Sequence, residues 1–361
     1  MEHKRNYITM ILVGGLWLLL SLVCWLHPSS DYTISERRPL QQRPALTIDS
    51  LSNGRFMTDF ETYTLDQFPL RDIFRSFKAV SNYYGFGMTD NNGIYFKDGH
   101  ISKLEYPLNE SSITRAAEKF TALYELCPND AEIYLCIVPD KNYYLADNAP
   151  HLDYDRLYAL MQQNMPYANA IDLRPLLTLE DYYFTDTHWR QEQLVPVAAY
   201  LAQVMETTFE DDFTEEALGV SFYGVYAGQA ALPLPSEGIT LLHNASIDAA
   251  SVYNLETDTT GGVYNLAKAD SADPYEVYLS GAAAVLQVDN PTVSNGRHLV
   301  VFRDSFAGPL IPLLLQGYET VTLLDTRYIS SQQAAEFIDA EISDVLFLYS
   351  TMILNHATTL R

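Results

Sequence analysis

The sequence predicts an α/β fold, a three-layer sandwich with a mostly parallel sheet, a β-rich insertion and an N-terminal transmembrane helix. Three observations predict it: short apolar runs alternate with amphipathic stretches, the segment at about 219–295 breaks that rhythm, and a long uncharged run opens the chain. With 361 residues, 48% of them hydrophobic and 19% charged, the chain has the apolar material for a large core.

The first element is Tyr7 to Leu26, YITMILVGGLWLLLSLVCWL, twenty residues without a charge. At about 1.5 Å per residue such a helix spans a hydrocarbon core of about 30 Å. His27-Pro28-Ser29-Ser30 follows in place of a small-x-small cleavage site, and Val23 spoils a lipoprotein-type site at Cys24, so the run is read as an uncleaved signal anchor. Lys4 and Arg5 ahead of it favour a cytoplasmic N-terminus. The expected organisation is residues 1–30 as cytoplasmic tip and anchor, 31–80 as an extracytoplasmic connecting segment, and 81–361 as the α/β domain carrying the insertion.

Within that domain Ile133–Val138, Ala168–Leu173, His298–Phe302, Thr320–Leu324 and Val345–Tyr349 read as buried strands. Helices are expected from Ser112 to about Leu126, Asp153 to Asn164, Arg190 to about Phe209, Pro309 to Gln316 and Ser331 to Ala340. Gly261-Gly262, Asn290-Pro291 and Asn295-Gly296 are the turn signals of the insertion.

Acidic residues outnumber basic ones 46 to 22, a net charge of -24, which excludes nucleic acid as a natural partner. Setting aside Glu2, Lys4 and Arg5 leaves 45 acidic against 20 basic side chains outside the anchor, a surface that an anionic bilayer repels. Three cysteines without a C-x-x-C pair and eight histidines without an H-x-x-x-H pair give no zinc motif, so no metal is expected. Cys136 lies inside an apolar run, which favours a buried thiol over a bond to Cys127, though both readings stand.

Ligands of parallel α/β sheets bind beyond the carboxyl ends of strands, so the residues that follow the apolar runs carry the chemistry. His298 to Phe302 is followed by Arg303-Asp304-Ser305, where a serine hydroxyl stands at the sheet edge near the start of a helix. In Asp186-Thr187-His188-Trp189, an extended backbone puts Asp186 and His188 on one side, carboxylate beside imidazole. Pro139-Asp140-Lys141 follows another strand and offers Lys141 as a substrate-binding cation. At each place the alternative is a helix cap or a surface loop. Trp189 and the 26 tyrosines offer faces on which sugar rings stack.

Taken together, these blocks resemble the DHHW proteins and the related alginate O-acetyltransferases of the AlgX and AlgJ type, membrane-anchored or exported relatives of the SGNH hydrolases. The resemblance runs from Ser35-Glu36-Arg37-Arg38-Pro39-Leu40 and the Phe60 to Arg71 segment, through Asn92-Gly93-Ile94-Tyr95-Phe96 and Pro139 to Lys141. Asp186 to Trp189 is its most specific piece, and Asp304-Ser305-Phe306 with Asp325-Thr326-Arg327-Tyr328 completes it.

The resemblance implies an SGNH hydrolase-like (flavodoxin-like) fold with Ser305 as nucleophile, His188 as base and Asp186 as orienting carboxylate. Lys141, Trp189 and Arg303 are then expected to bind substrate. It implies an extracytoplasmic O-acetyltransferase or acetylesterase of a cell-surface or secreted polysaccharide, held in a bacterial cell membrane, with no cofactor. A multispanning membrane O-acyltransferase (MBOAT) is the implied acyl-supplying partner. The alternative is a non-catalytic scaffold or glycan-binding subunit of the same fold docking on that partner. Arg303 and Gly281-Ala282-Ala283-Ala284 stand where relatives tend to carry other residues, which leaves the second oxyanion donor open.

Overall fold

A computed structural model describes residues 2–97, 99–145 and 150–361, and of residues 2–5 the backbone alone. Met1 and the side chains of Lys4 and Arg5, on which the expected orientation rests, lie outside the described residues. Residue contacts divide the chain into two units, Met1–Asn92 with Ala227–Pro233, and Gly93–Tyr226 with Leu234–Arg361.

The first unit opens with helix α1, Glu2–Leu26, of which the 21 residues Asn6–Leu26 are long and apolar enough to cross a membrane. Helices α2 (Ile48–Ser52), α3 (Arg55–Asp66) and α4 (Arg71–Val80) follow. Thr47 and Ser50 form a capping box at the start of α2. Carboxylates tie the unit together: Glu36 meets Arg71 at 2.5 Å and Arg75 at 3.1 Å, and Asp66 meets Arg38 at 2.6 Å. The Arg38 hydrogen bond holds the Asp66 carboxyl below its ordinary value.

The second unit is built on an eight-stranded sheet. Its strands are β1 (Glu132–Val138), β2 (Asn169–Asp172), β3 (Ser251–Asn254), β4 (Thr259–Gly261), β5 (Val285–Asp289), β6 (His298–Arg303), β7 (Thr320–Leu324) and β8 (Ile342–Ser350). They lie in the order β4-β3-β5-β7-β6-β8-β1-β2. The run β7-β6-β8-β1-β2 is parallel throughout. The segment at 219–295 supplies β3, β4 and β5, which extend the sheet in antiparallel pairing from the β7 edge.

Both faces of the central strands are apolar and covered, which is why they read as continuous hydrophobic runs. Successive side chains of a strand point to opposite faces. Cys136, Val138, Leu299, Val301, Leu346 and Leu348 therefore join one core with helix α7 (Val195–Val204). Ile133, Leu135, Ile137, Val300, Phe302 and Phe347 join the other with α5 (Glu110–Tyr124) and α6 (Tyr154–Asn164). The product is a three-layer sandwich.

Several expected helices differ in extent. The one expected over 190–209 is Val195–Val204, preceded by a 3-10 turn at Gln191–Gln193. Pro196 sits in its first turn, and Glu206 in the left-handed region (φ 49°) turns the chain away just past its end. The segment from Pro309 is one α-turn, Ala307–Leu310, running into 3-10 helix at Ile311–Gly317, because Pro309 and Pro312 donate no backbone hydrogen bond. The α-helix after Ser330 is Ser331–Ala334. The cap of α5 is Asn109, whose side chain accepts from the amide of Ser112. Cys24, Cys127 and Cys136 are free thiols, and burial pushes that of Cys127 up to about 11.

Candidate active site

Ser305 stands two residues beyond β6, in the turn before Ala307–Leu310. Asp304 makes that turn: its Oδ1 accepts from the Phe306 amide at 3.0 Å and its Oδ2 from the Ser350 amide at 2.7 Å. The ends of β6 and β8 are thereby locked together, and Asp304 is spent on backbone, as the cap reading requires. The Ser305 hydroxyl does not cap. Its Oγ lies 2.7 Å from Nε2 of His188, 117 residues away in sequence.

His188 sits in a hairpin closed by an antiparallel bridge between Tyr182 and Trp189. Its Nδ1 lies 2.6 Å from Oδ1 of Asp186, which also accepts from the His188 amide at 3.0 Å. The other oxygen of Asp186 accepts from the Val225 amide at 2.8 Å. Asp186 is fully buried, while Ser305 and His188 are partly exposed. With both carboxylate oxygens held, Nδ1 keeps its hydrogen and Nε2 is left as an acceptor toward the serine. The rings of Tyr275 (centroids 4.2 Å apart, 17° between planes) and Phe306 (5.0 Å) flank the imidazole.

The three residues expected to bind substrate are placed differently. Lys141, Trp189 and Arg303 are 1%, 0% and 1% exposed, so each serves the frame of the site and offers a substrate no surface. Lys141 Nζ lies within hydrogen-bond distance of four backbone carbonyls: Ile101 (2.6 Å), Tyr183 (2.8 Å), Asp186 (2.9 Å) and Phe184 (3.2 Å). It grips the hairpin from beneath. Burial pulls its pKa down to about 7, opposed by the charges of Asp186 and Glu237. Trp189 Nε1 donates to the Phe306 carbonyl at 3.0 Å, pinning the hairpin to the Ser305 turn. Arg303 Nη2 donates to the carbonyls of Gly281 (3.2 Å) and Ala283 (3.3 Å). Gly281 has φ +73°, and an added Cβ would lie 2.6 Å from Glu276 Cγ, so the loop under Arg303 demands glycine.

Sequence reasoning missed Glu237 and Tyr275. The Glu237 carboxylate accepts from the amides of Phe184 and Thr185 (2.8 Å each) and from the Thr185 hydroxyl (2.5 Å), completing the brace on the hairpin. Burial raises its pKa. Both residues lie in the segment at 219–295, whose sequence shows no motif pointing back at residues 184–188. Asp140 of the Pro-x-Lys block is likewise internal, accepting from Thr351 Oγ1 at 2.7 Å and from the Tyr154 hydroxyl at 2.9 Å. Among the described residues no group of three or more His, Cys, Asp and Glu side chains is arranged to hold a metal ion.

Such a row of carboxylate, imidazole and hydroxyl permits proton transfer from serine to histidine as the oxygen attacks an electrophilic carbon. In the sequence comparison no curated protein matches the chain. Among solved structures, a DHHW family protein from Eubacterium siraeum is similar, with TM-score 0.60 and 17% identity over 75% of this chain and 94% of that one. Bacillus cereus PatB1, solved with a sulfonyl adduct, is similar with TM-score 0.56 and 18% identity over 72% of this chain and 94% of that one. These likenesses are of fold. The family model described as DHHW protein matches residues 152–324, a stretch that includes Asp186, His188 and Ser305.

Proposed function

We propose that the protein is an extracytoplasmic serine-dependent O-acyltransferase, in its simplest form an O-acetyltransferase or acetylesterase, acting on a cell-surface or secreted polysaccharide. The observation that carries the reading is the unbroken hydrogen-bonded row from Asp186 through His188 to Ser305. In the first half-reaction Ser305 Oγ attacks the acyl carbonyl, its proton passes to His188 Nε2, and the leaving group takes that proton as the acyl-serine forms. In the second half-reaction a sugar hydroxyl attacks the acyl-serine, His188 takes its proton, and Ser305 recovers it as the new ester departs. Water in place of the sugar makes the same sequence an esterase. Asp186 stays ionised and orients the ring, stabilising the imidazolium that forms between steps.

The sulfonyl adduct carried by PatB1 supports testing this chain with a reagent of the same class. The helix Asn6–Leu26 supports a single-pass membrane anchor with the second unit outside, and a multispanning O-acyltransferase as acyl supplier fits that placement. The test is glycan acylation. Cells lacking the protein and complemented with Ser305→Ala should yield polysaccharide without the acyl esters that the wild-type gene restores. Full acylation with Ser305→Ala would leave the chain as a scaffold of that pathway.

A further inference from the structure

Exposed apolar side chains are distributed unevenly. Among the described residues, 16 large hydrophobic side chains are exposed between residues 31 and 92, against 8 in the much longer stretch from 93 to 361. Charge is distributed the opposite way. Residues 31–92 hold 8 acidic and 7 basic side chains, a net of -1, while residues 93–361 hold 37 and 13, a net of -24. The anchor-proximal segment is thus nearly neutral and greasy, and the remainder is strongly anionic.

Helix α4 shows how the apolar face arises. Ala79 is fully buried, Arg71 and Arg75 point with it into the unit toward Glu36, and Arg75 also donates to the carbonyls of Gly228 (2.9 Å) and Gln229 (3.1 Å). Residues 71, 75 and 79 share one side of a helix, and 73, 77 and 80 the other. Holding the first side inward therefore turns Ile73 and Phe77 outward, where they are 63% and 72% exposed. Phe74 (53%) on the same helix, and Tyr84 (66%) and Phe86 (78%) in the segment that follows it, are exposed as well. An apolar face of this extent on a water-soluble segment marks a docking surface.

We propose that this face of the first unit seats in the outer interfacial layer of the lipid bilayer that α1 crosses. The inference rests on the anchor reading of α1 and is independent of the acyl-transfer chemistry. The anchor keeps the segment beside a bilayer permanently, so insertion competes with no loss of translational freedom. Phenylalanine, tyrosine, isoleucine and leucine are the side chains that the headgroup and acyl boundary takes up, to a depth of about 5–10 Å. The near-zero charge of residues 31–92 removes the repulsion that the rest of the chain would meet at an anionic surface.

The test uses the full chain reconstituted into phosphatidylcholine vesicles, with Cys24 and Cys127 replaced by serine and the buried Cys136 left in place. An environment-sensitive NBD label is placed at Phe77→Cys, at Phe86→Cys outside α4, and at Thr257→Cys on an exposed turn of the second unit as the aqueous control. The expected result is blue-shifted emission at 77 and 86, with loss of emission when doxyl-labelled lipid is included, and neither change at 257. Water-like emission at both 77 and 86 overturns the proposal. So does a blue shift that lipid quenchers do not reach and that grows with the protein-to-lipid ratio, since the face then meets a second copy. A shift that appears only after another membrane protein is added overturns it likewise. Failure of the chain to float with the vesicles removes the anchor itself, whereas acylation activity is not read in this assay and stands or falls separately.

Discussion

His188 is held on every side by a group with a different job. Asp186 takes its Nδ1, Ser305 faces its Nε2, and Tyr275 covers one face of the ring. Ser305→Ala should therefore abolish acyl transfer with a melting temperature close to wild type, because a partly exposed hydroxyl contributes little to folding. His188→Ala should match it in activity. Asp186→Asn should retain a remnant, reduced by roughly 10⁴, since the ring is mis-set and not removed. If these residues were only caps, Ser305→Ala and Asp186→Asn would each cost about 1 kcal/mol of stability and leave acylation unchanged. Tyr275 separates packing from hydrogen bonding: its buried hydroxyl has no hydrogen-bond partner among the described residues. A buried hydroxyl without a partner costs roughly 1–3 kcal/mol. Tyr275→Phe should accordingly be as stable as wild type or more so with activity kept, whereas Tyr275→Ala should lower kcat by uncovering the imidazole. A melting temperature clearly lowered by Tyr275→Phe would show that the hydroxyl is partnered after all. The placement of Ser305 just past a strand, and of Asp186 beside His188, was legible in sequence because strand ends and an i, i+2 spacing are local features. The role of Lys141 was not, because its partners are main-chain carbonyls at residues 101 and 183–186, and a carbonyl leaves no mark on a sequence.

At the scale of elements, the hairpin that carries Asp186 and His188 is held by two buried groups, Lys141 below and Glu237 alongside. Lys141→Met leaves the carbonyls of Ile101, Tyr183 and Asp186 without their donor and should destabilise the protein by about 3 kcal/mol or more. Activity should fall with it as Asp186 shifts. The pH dependence has a definite sign. The folded-state pKa of about 7 lies below the ordinary 10.5, so between those values the unfolded chain holds a proton that the folded chain has released. Stability from this group therefore rises with pH across that window, and the penalty of Lys141→Met, measured by denaturant titration at pH 7 and pH 9, should grow. A penalty that stays constant or shrinks would mean that the carbonyl cage keeps the ammonium charged throughout. The five parallel strands were legible because burial on both faces makes them uninterrupted apolar runs. Helix ends were less so, since Pro196, Pro309 and Pro312 and the left-handed turn at Glu206 decide where helices start and stop against an apolar pattern that continues past them. Sequence showed the segment at 219–295 as turn-rich, but nothing local in it tells that Val285–Asp289 pairs antiparallel with Thr320–Leu324.

The whole chain runs from a helix long enough to cross a membrane to a strongly anionic α/β sandwich, with Ser305 just beyond the carboxyl end of β6. Orientation is tested by a reporter fused after Arg361 that is active only in the cytoplasm: silence is expected, and activity would reverse the compartment. The proposed function makes Ser305 a nucleophile activated by His188. The most direct measurement is covalent labelling of the purified full chain with a sulfonyl fluoride, followed by intact-mass and peptide mass spectrometry of wild type, Ser305→Ala and His188→Ala. One adduct is expected on wild type, located at Ser305, none on Ser305→Ala, and labelling slowed by orders of magnitude on His188→Ala. A folded wild-type chain that takes up no reagent, or an adduct that persists on Ser305→Ala, would contradict it.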